Sequence, residues 1–141
     1  MFADLAQLVL KQWNAQDLRP NDALSAEDIA VQFQSIGINA NTEILEVFSK
    51  LNGFDEGTMD GHCINFWSID KIKLENQAKT DVIEFADFLI DSFRYGFKIE
   101  SDDSVGIYLV YGLDNNEKVA DSFRAFFQLY LTDAGKLMAF A

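Results

Sequence analysis

Several residue types are scarce in this 141-residue sequence, and each scarcity excludes a class of structure. One proline and eight glycines are too few for a flexible linker between domains. The single cysteine, Cys63, cannot form an internal disulfide, which fits a reducing compartment. Apolar runs are broken by charges well short of the roughly 20 residues that a membrane-spanning helix requires.

The apolar segment 1–13 carries Asp4 and lacks the basic residues that open a secretory signal. There is no internal repeat and no low-complexity tract. We therefore predict a single domain, residues 1–141, in the cytoplasm.

Basic residues are scarce as well. Eleven Lys and Arg against 23 Asp and Glu give a net charge of −12 at pH 7. Such a charge repels phosphate backbones and anionic lipids, so we expect neither nucleic acids nor membranes as partners. It accelerates the encounter with a basic protein, and nucleases are basic because they bind phosphates. The simpler interpretation is that the charge serves solubility alone.

Apolar side chains are abundant: 49% of the residues are hydrophobic, and 13 of them are Phe. This composition predicts a sizeable core and argues against disorder. Helical spacing of the apolar residues predicts three helices in the first part of the chain. The first spans residues 2–13, the second is capped by Ser25 and ends at Gly37, and the third is capped by Asn41 or Thr42 and ends at Gly53.

After an acidic loop over residues 54–61 the pattern becomes that of strands. We predict strands over residues 62–67 and 82–90, with a short turn or helix over 68–73 between them. Apolar and polar residues alternate over Phe93–Ile99, which is typical of a half-buried strand. Residues 105–111 are its expected antiparallel neighbour across a polar turn. Their predicted inward row is Val105, Ile107, Leu109 and Tyr111.

A final helix is predicted near residues 117–131. Its buried face consists of Val119, Phe123, Phe126, Phe127 and Tyr130. The order of elements therefore predicts an α+β fold, with a central antiparallel sheet flanked by N-terminal helices and a C-terminal helix.

No residue pattern predicts catalysis, a cofactor or a metal. His62 and Cys63 are neighbours in a predicted strand, so they point to opposite faces and cannot form a nucleophile–base pair. A zinc site requires three or four thiolate or imidazole ligands, and the sequence offers only these two. The loop at 52–61 fits an EF-hand poorly, because Trp67 stands where the closing Glu belongs. Glycine-rich phosphate-binding motifs and the GxSxG motif are missing. A pair of close carboxylates, as in glycosidases, stays open as an alternative among so many acids.

Loops and tyrosines supply the candidate partner-binding residues. Acidic side chains in loops can steer a basic partner, and an exposed Tyr can anchor it. The predicted steering acids are Asp55, Glu56 and Asp60 after the third helix, and Glu100, Asp102 and Asp103 between the paired strands. The predicted anchors are Tyr95 and Tyr108, which flank the second acidic loop.

Four segments carry a family resemblance: 48–53 at a helix end, 66–72, 85–96 and the amphipathic segment 119–131. In order and spacing they resemble the SUKH superfamily, which includes yeast regulators of cell-wall synthesis and many bacterial immunity proteins. The resemblance implies an α+β fold with a central antiparallel sheet. For bacterial members it also implies binding and occlusion of a toxin, often a nuclease, with no catalytic residues.

We therefore expect an immunity-type protein that neutralises a cognate bacterial toxin by occlusion, the partner being a basic toxin domain. One alternative is a regulatory or scaffold module that binds an endogenous partner. A third, from a different class, is a carboxylate-dependent enzyme.

Overall fold

The computed structural model describes residues 2–77, 81–111 and 115–138. Five α-helices and a five-stranded antiparallel sheet confirm the predicted α+β class, and helices near both ends of the chain flank the sheet. The helices are α1 (Phe2–Ala15), α2 (Ala26–Gln34), α3 (Thr42–Phe48), α4 (Ile69–Glu75) and α5 (Phe123–Thr132). The strands are β1 (Ile64–Phe66), β2 (Ile83–Phe88), β3 (Phe93–Ile99), β4 (Val105–Val110) and β5 (Asn116–Ala120). A 3-10 helix, Ala134–Leu137, follows α5. None of the helices in the described ranges is long and apolar enough to span a membrane.

The predicted helix caps are confirmed for α2 and α3. The Ser25 hydroxyl accepts a hydrogen bond from the Asp28 amide, and the Asn41 side chain accepts one from the Ile44 amide. Helix α3 ends at Phe48, so the predicted end at Gly53 is wrong. Gly53 serves a different purpose: it has a φ of +66°, and a Cβ there would lie 2.4 Å from the Phe66 carbonyl oxygen. Only glycine lets the chain pass this close to β1.

The strands form a meander in the order β1-β2-β3-β4-β5, each antiparallel to the next. The predicted pairing of Phe93–Ile99 with the strand after the polar turn is confirmed, with Tyr95 opposite Leu109 and Gly96 opposite Tyr108. Because side chains alternate between faces, Tyr95 and Leu109 point into the core and Tyr108 points away from it.

Aromatic rings fill the space between the sheet and the helices. The Phe123 ring centroid lies 5.4 Å from those of Phe48 and Phe85 and 5.6 Å from that of Phe97. These edge-to-face and tilted contacts join α5 to α3 and to the middle of the sheet. The predicted buried face of the last helix is confirmed for Phe123, Phe126, Phe127 and Tyr130.

The carboxylate of Glu43 joins three elements. From α3 it accepts hydrogen bonds from the Val105 amide at the start of β4 (3.1 Å) and from the Phe123 amide at the start of α5 (2.6 Å). Burial raises the pKa of this carboxyl above its usual value, and the two backbone hydrogen bonds oppose the shift.

Three predictions about the ends of elements are wrong. Residues 117–120 belong to β5, not to the last helix, because Lys118 pairs with Tyr108 of β4. Val119 is therefore a half-buried strand residue. Tyr111 lies beyond the end of β4 with 45% of its surface exposed. Ile90, predicted in a buried strand, lies in the turn after β2 and is 82% exposed.

The loop before β1 covers the outer edge of that short strand. The Asp60 amide donates to the Ile64 carbonyl (2.9 Å), and the Asp60 carboxylate accepts from the Ile64 amide (2.9 Å). Farther along, the Phe54 amide donates to the Phe66 carbonyl (3.2 Å). Three outward backbone groups of β1, the amide and carbonyl of Ile64 and the carbonyl of Phe66, are thus satisfied within the chain.

Candidate functional site

A pocket of about 210 Å³ opens on the face of the sheet that points away from the aromatic core. We call it the Trp67 pocket. It lies between α4, the loop at residues 57–59 and the turn from β2 to β3. Its polar wall comes from outward residues of neighbouring strands, with Asn65 opposite Asp87 and Asp87 opposite Arg94. The lining also includes Met59, Trp67, Lys71, Glu75, Ile90 and Asp91.

Trp67 packs deep in this pocket, with only 3% of its surface exposed. Its indole N–H donates to the buried Asp87 carboxylate at 2.6 Å. The Lys71 ammonium lies 5.1 Å, and the Arg94 guanidinium carbon 5.2 Å, from the ring centroid. Both distances allow cation–π attraction, so Trp67 is fixed by one hydrogen bond and two cations.

Arg94 is shared by three carboxylates. It contacts Asp91 at 2.6 Å, Glu84 at 2.9 Å and Glu75 at 3.0 Å. The hydrogen bond with Asp91 is the main reason that the pKa of Arg94 is raised, against the opposing effect of burial. The same hydrogen bond lowers the pKa of Asp91. One guanidinium among three carboxylates leaves this cluster with a net negative charge.

The turn from β2 to β3 has an unusual backbone. Leu89, Ile90 and Asp91 have φ values of 51°, 52° and 68°, the left-handed region that favours glycine. For residues with a Cβ this conformation costs roughly 1–2 kcal/mol each, and a β-branched residue adopts it rarely. We call these three residues the Ile90 turn. It presents Ile90, 82% exposed, at the rim of the pocket, and the neighbouring Leu89 is 44% exposed.

Specific contacts hold the Ile90 turn in this conformation. The Leu89 amide donates to the Cys63 carbonyl at 2.9 Å, and the Asp91 amide donates to the Asp87 carboxylate at 3.2 Å. The two carboxylate oxygens of Asp91 accept hydrogen bonds from two nitrogens of the Arg94 guanidinium, at 2.6 and 3.1 Å. Asp87 therefore connects the turn to Trp67, so the turn and the pocket form one braced unit.

The predicted acids of the first loop divide into two groups. Asp55 is half-buried and Glu56 is exposed, and both immediately precede the part of the loop that lines the Trp67 pocket. Asp60 is only 7% exposed, and its carboxylate accepts hydrogen bonds from two backbone amides and from the Tyr130 hydroxyl. The prediction that Asp60 steers a partner is corrected, because its charge is enclosed by the fold.

The two predicted tyrosine anchors lie on opposite faces of the sheet. Tyr95 is fully buried, and its hydroxyl donates to the Leu137 carbonyl at 3.1 Å. The prediction for Tyr95 is corrected, since a ring without exposed surface cannot contact a partner. Tyr108 is half-buried on the outward face and donates to Glu100 at 3.3 Å. Glu100 also pairs with Lys118 at 3.2 Å, which offsets its charge.

Asp102 and Asp103 are exposed in the turn between β3 and β4. This turn lies at the opposite end of β3 from the Ile90 turn, about 20 Å away over seven residues of strand. The structure therefore does not bring the two acidic loops together. Only the first loop adjoins the pocket.

His62 and Cys63 precede β1, so their predicted position in a strand is wrong. Cys63 has a φ of 65°, and the His62 ring packs against the Tyr130 ring at 5.5 Å. Across the three described ranges, no three His, Cys, Asp or Glu residues are grouped so that they could hold a metal ion.

The sequence-based prediction did not single out Trp67, Arg94 or the Ile90 turn. The alternation over β3 did place Arg94 on the outward face, and Asp91 after an apolar run could have indicated a turn. Nothing local predicts three left-handed residues in the sequence Leu-Ile-Asp.

The sequence matches no protein-family model, and a search of curated proteins gives no significant match. The resemblance to the SUKH superfamily accordingly stays a prediction.

Proposed function

We propose that this protein is an immunity-type binding protein that occludes a basic toxin domain, and that the Ile90 turn is its main contact. The observation that carries the proposal is an Ile side chain, 82% exposed, on a left-handed turn braced by Asp87 and Arg94. The net charge of −12 and the resemblance to the SUKH superfamily support the choice of partner.

The Ile90 turn has the properties of a binding anchor. Its conformation disfavours folding, and the exposed Ile90 side chain contributes little apolar burial in return. A partner that covers the side chain would recover this burial without having to order the turn, because the brace has already done so. Anchors of this kind, apolar and surrounded by polar groups, dominate many interfaces.

The acids around the anchor give the surface its electrostatic character. Glu56 and Asp91 are exposed, and Glu75 and Glu84 are partly exposed. Exposed carboxylates around an apolar centre favour a basic protein during encounter and disfavour a nucleic acid. The interface that we propose is therefore an apolar contact at Ile90 within an acidic rim.

The experiment is affinity capture from the organism that encodes the chain, with the wild-type protein and the Ile90→Asp variant compared. We expect the captured protein to be basic and to bind Ile90→Asp at least about tenfold more weakly, since anchors contribute 2 kcal/mol or more. Leu8→Asp is the matched control, because Leu8 is 55% exposed on α1, and it should bind like the wild type.

Toxicity separates immunity from other binding roles. The captured protein, expressed alone, should stop the growth of a host, and co-expression of this chain should restore growth. A harmless partner would refute immunity and favour a regulatory role. Equal capture by Ile90→Asp and the wild type would refute the Ile90 turn as the contact.

A further inference from the structure

The size of the Trp67 pocket points to a single side chain as its occupant. Sites for small-molecule ligands and cofactors enclose about 300–1,000 Å³. At about 210 Å³, the Trp67 pocket is smaller than these, and it opens beside the proposed protein contact at Ile90. A side chain reaching in from a bound protein fits both its size and its position.

The lining of the pocket favours a long side chain with a cationic end. Met59 and Ile90 are exposed at 38% and 82% and supply apolar surface for an alkyl stem. Three carboxylates, those of Glu75, Asp87 and Asp91, face two cations. The net charge of these lining residues is negative, so a cation entering the pocket is attracted and an anion is repelled.

Glu75 is the carboxylate best placed to receive such a cation. One of its oxygens contacts Arg94 at 3.0 Å, and the structure shows no hydrogen bond to the other among the described residues. Asp87, by contrast, uses one oxygen for the Trp67 indole and the other for the Asp91 amide. A carboxylate can accept several hydrogen bonds, so Glu75 retains capacity for a second guanidinium or an ammonium.

We infer that the Trp67 pocket binds an Arg or Lys side chain of the protein partner, with Glu75 accepting hydrogen bonds from its cationic end. The inference rests on the proposed function for the identity of the partner. It adds a second, charge-selective contact beside the apolar one at Ile90, and the two together explain why an apolar turn lies next to a negatively charged pocket.

The experiment is a titration of the free, isotope-labelled full chain with amino-acid probes, followed through the indole N–H signals in NMR spectra. The probes are N-acetyl-arginine amide, its neutral analogue N-acetyl-citrulline amide and the anionic N-acetyl-glutamate amide. Trp67 reports on the pocket, and the fully buried Trp13 is the internal control. We expect the arginine probe to shift the Trp67 signal with an affinity on the order of millimolar, and to leave Trp13 unchanged.

Two variants make the test specific. Glu75→Gln removes the proposed acceptor charge and should weaken the arginine probe about tenfold or more. Glu117→Gln makes the same chemical change on the exposed strand β5 and should have no effect.

The inference is overturned if the citrulline probe shifts Trp67 as strongly as the arginine probe. It is also overturned if only the glutamate probe acts, or if Trp67 does not respond at about 0.1 M probe with ionic strength held constant. Because the titration needs no partner, a failed capture experiment leaves its result intact. A failed titration, in turn, leaves the contact at Ile90 intact.

Discussion

The hydroxyl of Tyr130 offers the sharpest test of how this fold is held together. It donates to the Asp60 carboxylate and accepts from the Trp13 indole N–H at 2.9 Å. All three residues are buried, and they belong to α5, the loop before β1, and α1. Burial is the main reason that the pKa of Tyr130 is raised, and the Asp60 charge adds to it, so the hydroxyl keeps its proton at physiological pH.

The substitution Tyr130→Phe removes one oxygen and leaves two buried groups without a partner. The Trp13 N–H loses its acceptor, and one Asp60 oxygen loses its donor. An unsatisfied buried group costs about 1–3 kcal/mol, and more when it is charged. We therefore expect the free energy of unfolding to fall by about 2–5 kcal/mol, because both groups lose their hydrogen bonds. No cavity contribution adds to this loss, since the aromatic ring itself remains.

Two further Tyr→Phe variants calibrate the measurement. Tyr95→Phe leaves one neutral carbonyl, that of Leu137, without its donor and should cost about 1–2 kcal/mol. Tyr108→Phe removes a hydroxyl that is open to water and should cost less than about 0.5 kcal/mol.

Urea unfolding followed by far-UV circular dichroism measures all three. At a slope of about 2 kcal/mol per M, Tyr130→Phe should lower the midpoint by about 1–2.5 M. A midpoint for Tyr130→Phe equal to that of Tyr108→Phe would show that water or rearrangement replaces the lost hydrogen bonds. The buried network would then contribute nothing specific.

Three other outcomes are expected. Phe123→Ala should cost about 3–5 kcal/mol in denaturant unfolding, since its ring is fully buried, whereas Leu8→Ala should cost little. The pKa of Glu43 is raised in the folded state above its ordinary value of 4.5. The contribution of Glu43 to the free energy of unfolding is therefore fully present below pH 4.5, and it is lost as the pH rises through the pKa of the folded state. Unfolding of Glu43→Gln at several pH values should lack this step, and Glu117→Gln should keep it. Association with a basic partner in stopped flow should slow and lose salt dependence when four acids are neutralised: Asp55, Glu56, Asp102 and Asp103. An unchanged rate would assign the charge to solubility alone.

Much of the fold could be predicted because local signals agreed with the tertiary structure. Ser25 and Asn41 are strong N-cap residues, and the alternation over β3 identified its pairing with β4. The failure at β5 has a physical cause. Val119 lies at helical spacing from Phe123, but pairing with β4 outweighs this local preference. The Ser122 cap, which accepts from the Ala125 amide, marks the true start of α5 and was visible in the sequence.

The site could be predicted less well than the fold. The alternation of side chains could have predicted which of the two tyrosines is buried. Tyr95 shares a strand face with Phe97, whereas Tyr108 lies on the opposite face from Ile107. The Ile90 turn depends instead on distant contacts, with the Cys63 carbonyl and with Arg94. Such contacts exist only after the sheet has formed, so no local pattern reports them.

The loop along β1 also affects whether a strand of another molecule can add to the edge of this sheet. At one end of the sheet, the loop already uses outward backbone groups of β1 at Ile64 and Phe66. At the other end, β5 is five residues long and exposes Glu117 and Lys118. Charged, short or covered edges discourage strand addition from another molecule. The chain should therefore resist edge-to-edge aggregation at high concentration, a condition in which a long, bare edge would be a liability.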